Sequence, residues 1–374
     1  MEEISLRKLD HLVLTAYYPV EHEESTLLED VHLVPRAAPE ADYNEVDPSI
    51  YLLGKRLRAP LIVSGMTGGH PVAAEINAAI AEAVEELGIG MGVGSQRAAL
   101  RDPSVIPTYR VVRERAPTAL IIGNIGAAQL LELSIDDVER LVEMIEADAL
   151  AVHLNVPQEL FQPEGDRRFR GVLDAIERLV DKLSVPVIVK ETGHSIDPRT
   201  VAELVSRGVE YIDVSGAGGT SWVRVEELRA RARGEKLLEE GARVFRNWGL
   251  PTALAIMLAR WAAPTACLLA GGGIRTSLDI LRAIVLGADA ATIALPVLRA
   301  YRDAGAKGVR TLLAGLIEGL KRGMLMVGAK SLRDLYGTAY TLSPRLYTLA
   351  GQLIDVKLYA SAARARLYTA RPCG

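Results

Sequence analysis

The stretch "PVIVKETGHSIDPRTVAELVSRGVEYIDVSG", residues 186–216, contains a complete strand, helix and strand. Its ends, "PVIVKET" and "YIDVSG", are short apolar runs with β-branched residues, which are typical of strands buried on both faces. Between them, Asp197 and Pro198 are helix-start signals and Gly208 is a stop signal. This unit predicts two parallel strands joined by a right-handed crossover.

The same alternation recurs along most of the chain. Eight apolar runs follow one another, at residues 61–65, 88–95, 120–126, 148–154, 186–192, 211–216, 267–273 and 291–295. Helix-like segments separate them, such as "SIDDVERLVEMIEA" with Ser134 as its N-cap and "TSLDILRAIVLG", which runs from a cap at Thr276 or Ser277 to Gly287. Eight units favour an α/β fold, a (β/α)8 TIM barrel, over an open doubly wound sheet, which remains the structural alternative.

The chain divides into three predicted regions. Residues 1–60 contain several prolines and short elements, and we expect an N-terminal cap segment. Residues 61–300 form the predicted barrel, and residues 301–374 form a C-terminal helical extension and tail. The tail is apolar and bears tyrosines, which suits packing or subunit contact.

Composition excludes several classes of protein. With 49% hydrophobic residues in 374, the chain can bury a large core, and its net charge of −4 and scattered arginines exclude a nucleic-acid partner. The N-terminus has no signal-peptide core and no apolar run is long enough to span a membrane. Only Cys267 and Cys373 occur, so we expect no disulfide framework and a reducing, cytoplasmic location.

Polar residues end or follow each predicted strand. Parallel barrels carry their chemistry at the C-terminal ends of the strands and in the loops that follow, so these residues share one predicted rim. They are Met66 to Gly69, Ser95, Gln96, Arg97, Asn124, His153, Asn155, Lys190, Glu191, Ser215 with the following "GAGGTSW", "GGGIR" at 271–275, Ala294 and Leu295.

The glycine run Gly271, Gly272 and Gly273 follows the seventh strand and precedes a capped helix. Bare backbone N–H groups and the helix dipole favour a bound phosphate there, and the loops after strands seven and eight are the common phosphate site of such barrels. The alternative is a glycine-rich turn without a ligand. The position on the rim favours phosphate.

Lys190 ends the strand "VIVK" in a chain with nine lysines and 34 arginines. A lysine at a barrel mouth serves either as a Schiff-base nucleophile or as a charge that stabilises an anion. The alternative is a side chain that extends along the strand end to solvent.

The stretch "HLNVPQELFQPEGD", residues 153–166, adds polar groups after the fourth strand. Strand alternation places His153 and Asn155 on the same face, toward the mouth. Taken alone, a histidine such as His153 is more often a buried core residue, and Gln158 is more often a surface amide. Glu159 is a hard oxygen ligand suited to Mg2+, which completes its shell with water and phosphate oxygens.

Three cations are candidates for holding a diphosphate. Arg97 follows the second strand, whereas Arg7 and Lys8 belong to the N-terminal segment. Arg7 and Lys8 reach the site only if that segment folds over the mouth. The alternative for both is a solvated terminus.

Taken together, the motifs resemble a known family. "SLRKLDH", "SGMTGGH", "MGVGSQRAAL", "HLNVPQELFQPEGDRRF", "PVIVKETG", "DVSGAGGTSW", "NWGLPTA" and "GGGIRTSLDILRAIVLGAD" resemble the FMN-dependent type 2 isopentenyl-diphosphate isomerases over residues 5–330. The resemblance implies interconversion of isopentenyl and dimethylallyl diphosphate in isoprenoid biosynthesis. It also implies reduced FMN, Mg2+, NAD(P)H as reductant, and a homo-oligomer, tetrameric or octameric.

The resemblance assigns ligands residue by residue. It implies FMN contacts at Met66, Thr67, Gly68, Ser95, Asn124, Lys190, Ser215 and Thr220, and contacts to the FMN phosphate at Gly272, Gly273, Ile274, Ala294 and Leu295. It implies contacts to the substrate at Arg7, Lys8, Ser95, Gln96, Arg97, His153, Asn155 and Gln158, and Mg2+ at Glu159. Leu295 stands where many members have Gly and Gly271 where many have Ser, and both leave backbone N–H groups available.

The implied reaction moves a double bond without net electron transfer. One proton is added to the terminal alkene carbon and another is removed beside the oxygen-bearing carbon, in a pocket that excludes water. No paired carboxylates or Cys follow the strands. The resemblance implies that reduced flavin itself gives and takes the protons. Lys190, near the flavin N1/C2 edge, and His153 are the residues expected to take part in catalysis. Trp222 suits a wall of the alkene pocket or simple packing.

Three other functions are alternatives. The first is an FMN barrel that oxidises 2-hydroxy acids or nucleotides. Hydroxy-acid oxidases carry a His-Gly-x-Arg segment near the seventh strand and inosinate dehydrogenases a Cys after the sixth, whereas this chain has "LLAGGGIR" and "SGAGGTSW". A Schiff-base aldolase at Lys190 and a silent phosphate- or flavin-binding module are the others.

Overall fold

The computed structural model describes residues 2–364 and residue 373. The strands of this part are β1 Val31–Leu33, β2 Ile50–Leu52, β3 Lys55–Leu57, β4 Leu61–Val63, β5 Gly90–Gly92, β6 Leu120–Gly126, β7 Ala149–Leu154, β8 Val187–Glu191, β9 Tyr211–Asp213, β10 Cys267–Ala270, β11 Ala290–Ile293 and β12 Tyr340–Leu342.

Helices lie between and around the strands. They are α1 Glu2–Tyr17, α2 Pro71–Leu87, α3 Arg97–Arg101, α4 Pro107–Arg115, α5 Ile135–Met144, α6 Val156–Phe161, α7 Val172–Lys182, α8 Pro198–Ser206, α9 Trp222–Arg233, α10 Lys236–Phe245, α11 Thr252–Ala262, α12 Ser277–Leu286, α13 Leu295–Met326, α14 Leu332–Tyr336, α15 Pro344–Gly351 and α16 Val356–Arg364.

The eight strands from β4 to β11 form a closed parallel barrel in chain order. Each predicted apolar run overlaps one of them, and β6 is buried along its whole length. Pairing of β11 with β4, through Ala291 and Leu61, closes the sheet. The predicted (β/α)8 barrel is therefore confirmed, and the open doubly wound sheet is excluded.

Helix starts follow the predicted signals. Ser134 caps α5 and Thr276 caps α12, each in a capping box that satisfies backbone N–H groups at both ends of the first turn. Asp197 caps α8 by accepting from the N–H groups of Arg199 and Thr200. These caps fix where each helix leaves the strand end before it.

The N-terminal segment contacts both ends of the barrel. Helix α1 contributes Lys8 and Leu12 to the mouth. The hairpin β2–β3 lies at the opposite end, where Leu52 and Leu57 pack against the barrel residue Ile62. Segment 1–60 therefore closes the bottom of the barrel as well as covering its mouth.

The C-terminal part begins within a helix. Helix α13 crosses the predicted boundary at residue 300 and changes direction at Ala304 and Gly305. Strand β12 pairs antiparallel with β1, so the N-terminal and C-terminal regions share a small sheet. Residues 365–372 and 374 of the predicted tail lie outside the described residues.

A disulfide corrects the expectation drawn from the two cysteines. Cys267, at the start of β10, is bonded to Cys373, and their Cα atoms are 5.1 Å apart. The backbone N–H of Leu53 in the β2–β3 turn donates to the carbonyl of Cys373 at 2.9 Å. The expectation of no disulfide was wrong because the chain returns its C-terminal end beneath the barrel, a contact across 106 residues that spacing does not reveal. Although Asp289 lies near both sulfurs, the disulfide leaves no thiolate for a metal.

Among the described residues, no helix is both long enough and apolar enough to cross a membrane.

Candidate active site

A cavity of about 580 Å³ opens at the C-terminal ends of the barrel strands. It collects nearly all of the predicted site residues from separate loops, as expected for the mouth of a barrel. The predicted residues that line it are Arg7, Lys8, Met66, Thr67, Gly68, Ser95, Arg97, Asn124, His153, Asn155, Gln158, Glu159, Lys190, Ser215, Thr220, Gly272, Gly273, Ile274, Ala294 and Leu295.

Gln96 is the exception and requires a correction. Its side chain is fully buried; its amide nitrogen donates to the Leu141 carbonyl at 2.9 Å, and its oxygen accepts from the Asn124 N–H at 2.9 Å. Gly123 makes room for it, since a Cβ there would lie 2.9 Å from the Gln96 oxygen. Gln96 joins the loop after β5 to β6 and is not available to a ligand in the cavity.

The glycine loop after β10 is tightly packed against the loop after β9. Gly272 and Gly273 have φ of +91° and +77°, which disfavour a side chain. A Cβ on Gly272 would collide with the backbone of Gly216, and one on Gly219 with the backbone of Gly273. The two loops, together with Ala294 and Leu295 after β11, form a cradle lined by backbone groups.

Backbone amides in this cradle are left without internal acceptors. Among the hydrogen bonds of the described residues, none is donated by the N–H groups of Gly272, Gly273, Ile274, Ala294 or Leu295. All five residues line the cavity, and Leu295 opens helix α13. Unpaired amides at a glycine loop and a helix start are the donor set that phosphate requires, so the cradle fits the phosphate of FMN.

Lys190 and His153 are register partners on the adjacent strands β8 and β7. Lys190 Nζ donates to the Glu191 carbonyl at 2.6 Å, and the Lys190 side chain lines the cavity. His153 Nδ1 lies 2.7 Å from Asn124 Oδ1, and because an amide oxygen only accepts, Nδ1 carries the proton. Burial, with the charges of Lys190 and Lys8, lowers the pKa of His153 to about 3. His153 is therefore a neutral imidazole whose Nε2 is an acceptor.

The carboxylate of Glu191 shapes the loop that follows β8. Its Oε2 accepts from four successive backbone N–H groups, including those of Thr192 and Gly193 at 2.7 Å. The carboxylate charge of Glu191 therefore stabilises the loop backbone rather than a ligand. Thr192 and Gly193 are thereby held at the cavity wall beside Lys190.

Lys8 fastens helix α1 across the mouth. Its Nζ donates to the carbonyls of Gly68 at 2.7 Å and Ser95 at 2.9 Å and to Tyr109 Oη at 2.7 Å. Burial and the neighbouring charge of Arg7 lower the pKa of Lys8 to about 7. With its three donors engaged, Lys8 places Arg7 at the cavity, where burial also lowers the pKa of Arg7.

The segment after β7 folds back on itself above the cavity. Asn155 Nδ2 donates to Glu159 Oε1 at 2.9 Å, and Glu159 Oε2 accepts from the Asp166 N–H at 2.8 Å. Asp166 in turn accepts from Gln129 at 2.6 Å and Arg97 at 3.3 Å. Each Glu159 oxygen keeps further lone pairs, so this carboxylate fits a Mg2+ ion that takes one protein ligand.

Sequence reasoning missed a buried ionic network at the wall formed by α1 and α9. His11 Nε2 lies 2.7 Å from Glu226, Glu226 is 2.6 Å from Arg229, and Arg229 is 2.8 Å from Glu164. The ring of Trp222 meets His11 edge-on at 5.2 Å. A signal was present, since Glu226 and Arg229 stand three residues apart on one helix.

Comparisons with known proteins agree with this geometry. Residues 139–341 match the family of FMN-dependent dehydrogenases. The chain is 48% identical over 343 residues to an isopentenyl-diphosphate delta-isomerase of Ignicoccus hospitalis, covering 91% of this chain and 95% of that protein. It is 46% identical over 364 residues to one of Aeropyrum pernix, covering 97% and 96%.

Solved structures share the barrel at much lower identity. A mandelate oxidase with (S)-2-phenylpropionate has a TM-score of 0.60 and 19% identity, covering 91% of this chain and 99% of that one. A protein described as a lactate oxidase of Pediococcus acidilactici has a TM-score of 0.65 and 14% identity, covering 91% and 94%. At these identities the likeness concerns the fold alone.

Proposed function

This chain belongs to the isopentenyl-diphosphate delta-isomerase family, and from that premise we propose that it interconverts isopentenyl and dimethylallyl diphosphate with reduced FMN and Mg2+, in isoprenoid biosynthesis. The observation that carries the proposal is the cradle of five unpaired amides on the same rim as Lys190. A phosphate site and a cation therefore line one cavity.

The flavin site is proposed along the floor of the cavity. Met66, Thr67, Gly68, Ser95, Asn124, Ser215 and Thr220 contact FMN, and Gly272, Gly273, Ile274, Ala294 and Leu295 bind its phosphate. When bound, reduced FMN supplies the acid–base chemistry at the alkene. Lys190 stabilises negative charge at the N1/C2 edge, where a fixed cation in a water-poor cavity acts most strongly.

The diphosphate site is proposed between α1 and the loop after β7. Arg7 and Arg97 supply charge, and Ser95, Asn155 and Gln158 donate or accept hydrogen bonds, with Lys8 holding Arg7 in place. Glu159 binds Mg2+, which neutralises phosphate charge. NAD(P)H is the proposed reductant.

His153 is proposed to act as a neutral group beside the reacting carbons. Its low pKa keeps the imidazole uncharged at neutral pH, and the bond to Asn124 fixes the ring with Nε2 free to accept. Leu12, Met66 and Trp222 contribute wall area that keeps water away from the alkene.

A homo-oligomer, tetrameric or octameric, is part of the proposal. Helix α10 and the loop after it leave Leu237, Val244 and Trp248 exposed by 89%, 74% and 60%. Large apolar side chains grouped on a surface favour protein contact. Replacing Leu237 and Val244 together by Asp should lower the mass found by native mass spectrometry, and an unchanged mass would place the interface elsewhere.

The decisive experiment follows the substrate directly. The purified chain is incubated anaerobically with FMN, Mg2+ and a reductant, and isopentenyl diphosphate is followed in D2O by NMR. We expect double-bond migration with deuterium uptake, and loss of both when FMN or Mg2+ is omitted. Absence of both signals in the complete mixture would refute the isomerase.

The same preparation separates the other functions. A Schiff-base aldolase would be colourless and trapped by borohydride with a carbonyl substrate. A silent module would bind FMN without turnover, and a hydroxy-acid oxidase would reduce its flavin with a 2-hydroxy acid.

A further inference from the structure

Asp213, the last residue of β9, is a buried carboxylate that no assignment above includes. It is 1% exposed. Its Oδ1 accepts from the N–H groups of Ser215 at 3.1 Å and Gly271 at 3.0 Å and from Ser215 Oγ at 3.2 Å. Its Oδ2 accepts from Thr292 Oγ1 at 3.0 Å. One carboxylate therefore joins the ends of the neighbouring strands β9, β10 and β11.

Each partner of Asp213 leads to the proposed flavin site. Ser215 has φ of +35°, a left-handed conformation that disfavours a non-glycine residue. Two hydrogen bonds from Ser215 to Asp213 hold that conformation. Gly271 directly precedes the phosphate loop, and Thr292 lies two residues before Ala294.

Asp213 and Lys190 also line a second, smaller cavity together. This cavity has a volume of about 20 Å³, and its other lining residues are Asn124, Ser64, Thr292 and mainly apolar residues of the barrel interior. Lys190 and Asp213 are register partners on adjacent strands, and of the lining residues they are the basic and the acidic one.

Opposite charges across a small buried cavity attract more strongly than they do in water, because little solvent screens them. We propose that Asp213 is a positioning residue for the bound flavin: it holds the phosphate loop and offsets the charge of Lys190 on the adjacent strand. This inference rests on the proposed FMN site.

The variant Asp213→Asn removes the charge and keeps the shape. The amide oxygen can accept from Ser215 and Gly271, and the Thr292 hydroxyl can accept from the amide nitrogen. We expect the midpoint potential of bound FMN to become more positive, because reduced flavin carries negative charge and a negative neighbour is gone. An anaerobic reductive titration with a reference dye measures the shift. A merely structural role would not produce it.

The variant Thr292→Val tests the loop separately, since it removes one donor and keeps the charge. We expect the Kd for FMN to rise roughly threefold to tenfold, the effect of one hydrogen bond, with an unchanged potential. Asp148→Asn is the matched control, because Asp148 also accepts a strand N–H, that of Ile121 at 2.8 Å, but at the other end of the barrel. It should lower the melting temperature and leave FMN Kd and potential unchanged.

The outcomes distinguish this inference from the proposed function. A wild-type chain that takes up no FMN refutes the flavin site itself. A wild-type chain that binds FMN while Asp213→Asn and Thr292→Val match it in Kd and potential overturns the role of Asp213. If Asp213→Asn does not fold, an unchanged FMN Kd for Thr292→Val is by itself enough to overturn the role of Asp213.

Discussion

The two ends of the barrel differ in whether their polar groups have partners within the protein. At the bottom, Arg260 is fully buried and every donor group is engaged, including Nη2 with Asp289 at 2.7 Å and Nε with the Gly287 carbonyl at 2.9 Å. At the mouth, the amides of the glycine cradle lack internal acceptors, and Lys190 faces open volume. At the bottom, the donors of Arg260 are bonded within the protein, whereas at the mouth the amides of the cradle remain available to a ligand.

The difference shows that the bottom of the barrel contributes mainly to stability and the mouth mainly to ligand binding and chemistry. Apolar residues, the β2–β3 hairpin and the Cys267–Cys373 disulfide fill the bottom. Substitutions there should change the free energy of unfolding and spare the site, and substitutions at the mouth should do the reverse.

The largest effect is expected for Arg260→Ala at the bottom. It removes the buried guanidinium that pairs with Asp289 at 2.7 Å, which costs about 3–5 kcal/mol. Urea unfolding measures the loss. Arg199→Ala is the control, since Arg199 forms an exposed pair with Glu203 and should cost about 0–1 kcal/mol. Equal effects of the two variants would contradict the structural role of Arg260.

Next in size is Lys190→Ala at the mouth. Removing a cation that stabilises developing negative charge lowers kcat by roughly 10²–10³. The melting temperature should not fall, because a buried ammonium costs desolvation free energy. Isomerase rate and calorimetry are the measurements, with the exposed Lys182→Ala as control. Full activity would remove Lys190 from the mechanism.

Reduction of the disulfide should have an intermediate effect. It frees a loop of 106 residues in the unfolded chain, and its loss costs about 2–4 kcal/mol. The melting temperature should fall with dithiothreitol, while FMN affinity of the folded protein stays the same. In the variant with Cys267→Ser and Cys373→Ser, dithiothreitol should have no effect. A reductant response in that variant would point to another cause.

The smallest effect concerns His153 and pH. In the unfolded chain its pKa is about 6.5, and in the folded protein it is about 3, so only the unfolded chain binds the proton between these values. The free energy of unfolding therefore falls as the pH drops from about 6.5 toward 3. In His153→Asn, which keeps a donor for Asn124, the fall between pH 7 and 4.5 should be smaller by about 2–3 kcal/mol. Identical slopes would show that folding does not lower the pKa of His153.

Strand positions and the mouth were predictable because both follow from short-range patterns. A strand buried on both faces is a continuous apolar run, and β6 and β8 are of this kind. In a parallel barrel all C-terminal ends meet, so the residues after the runs had to converge. That reasoning predicted that Lys190 and His153 lie at the mouth, and both residues line the cavity there.

Other features depend on contacts distant in sequence. Gln96 follows β5 like a site residue, yet Gly123 on the next strand leaves a space that its amide fills. From the sequence alone, Asp213 is only the last residue of a strand. Its hydrogen bonds to Gly271 and Thr292 form because the fold brings those two residues beside it. The partner of Cys267 lies at position 373, with no local signal between them.

The positions of the two cysteines also determine when the disulfide can form during synthesis. Because a chain is made from its N-terminus, Cys373 follows every strand from β4 to β11. Cys267 therefore cannot form the disulfide until all eight barrel strands have been synthesised. The hairpin β2–β3 is made before those strands, and its hydrogen bond to the carbonyl of Cys373 forms only after them.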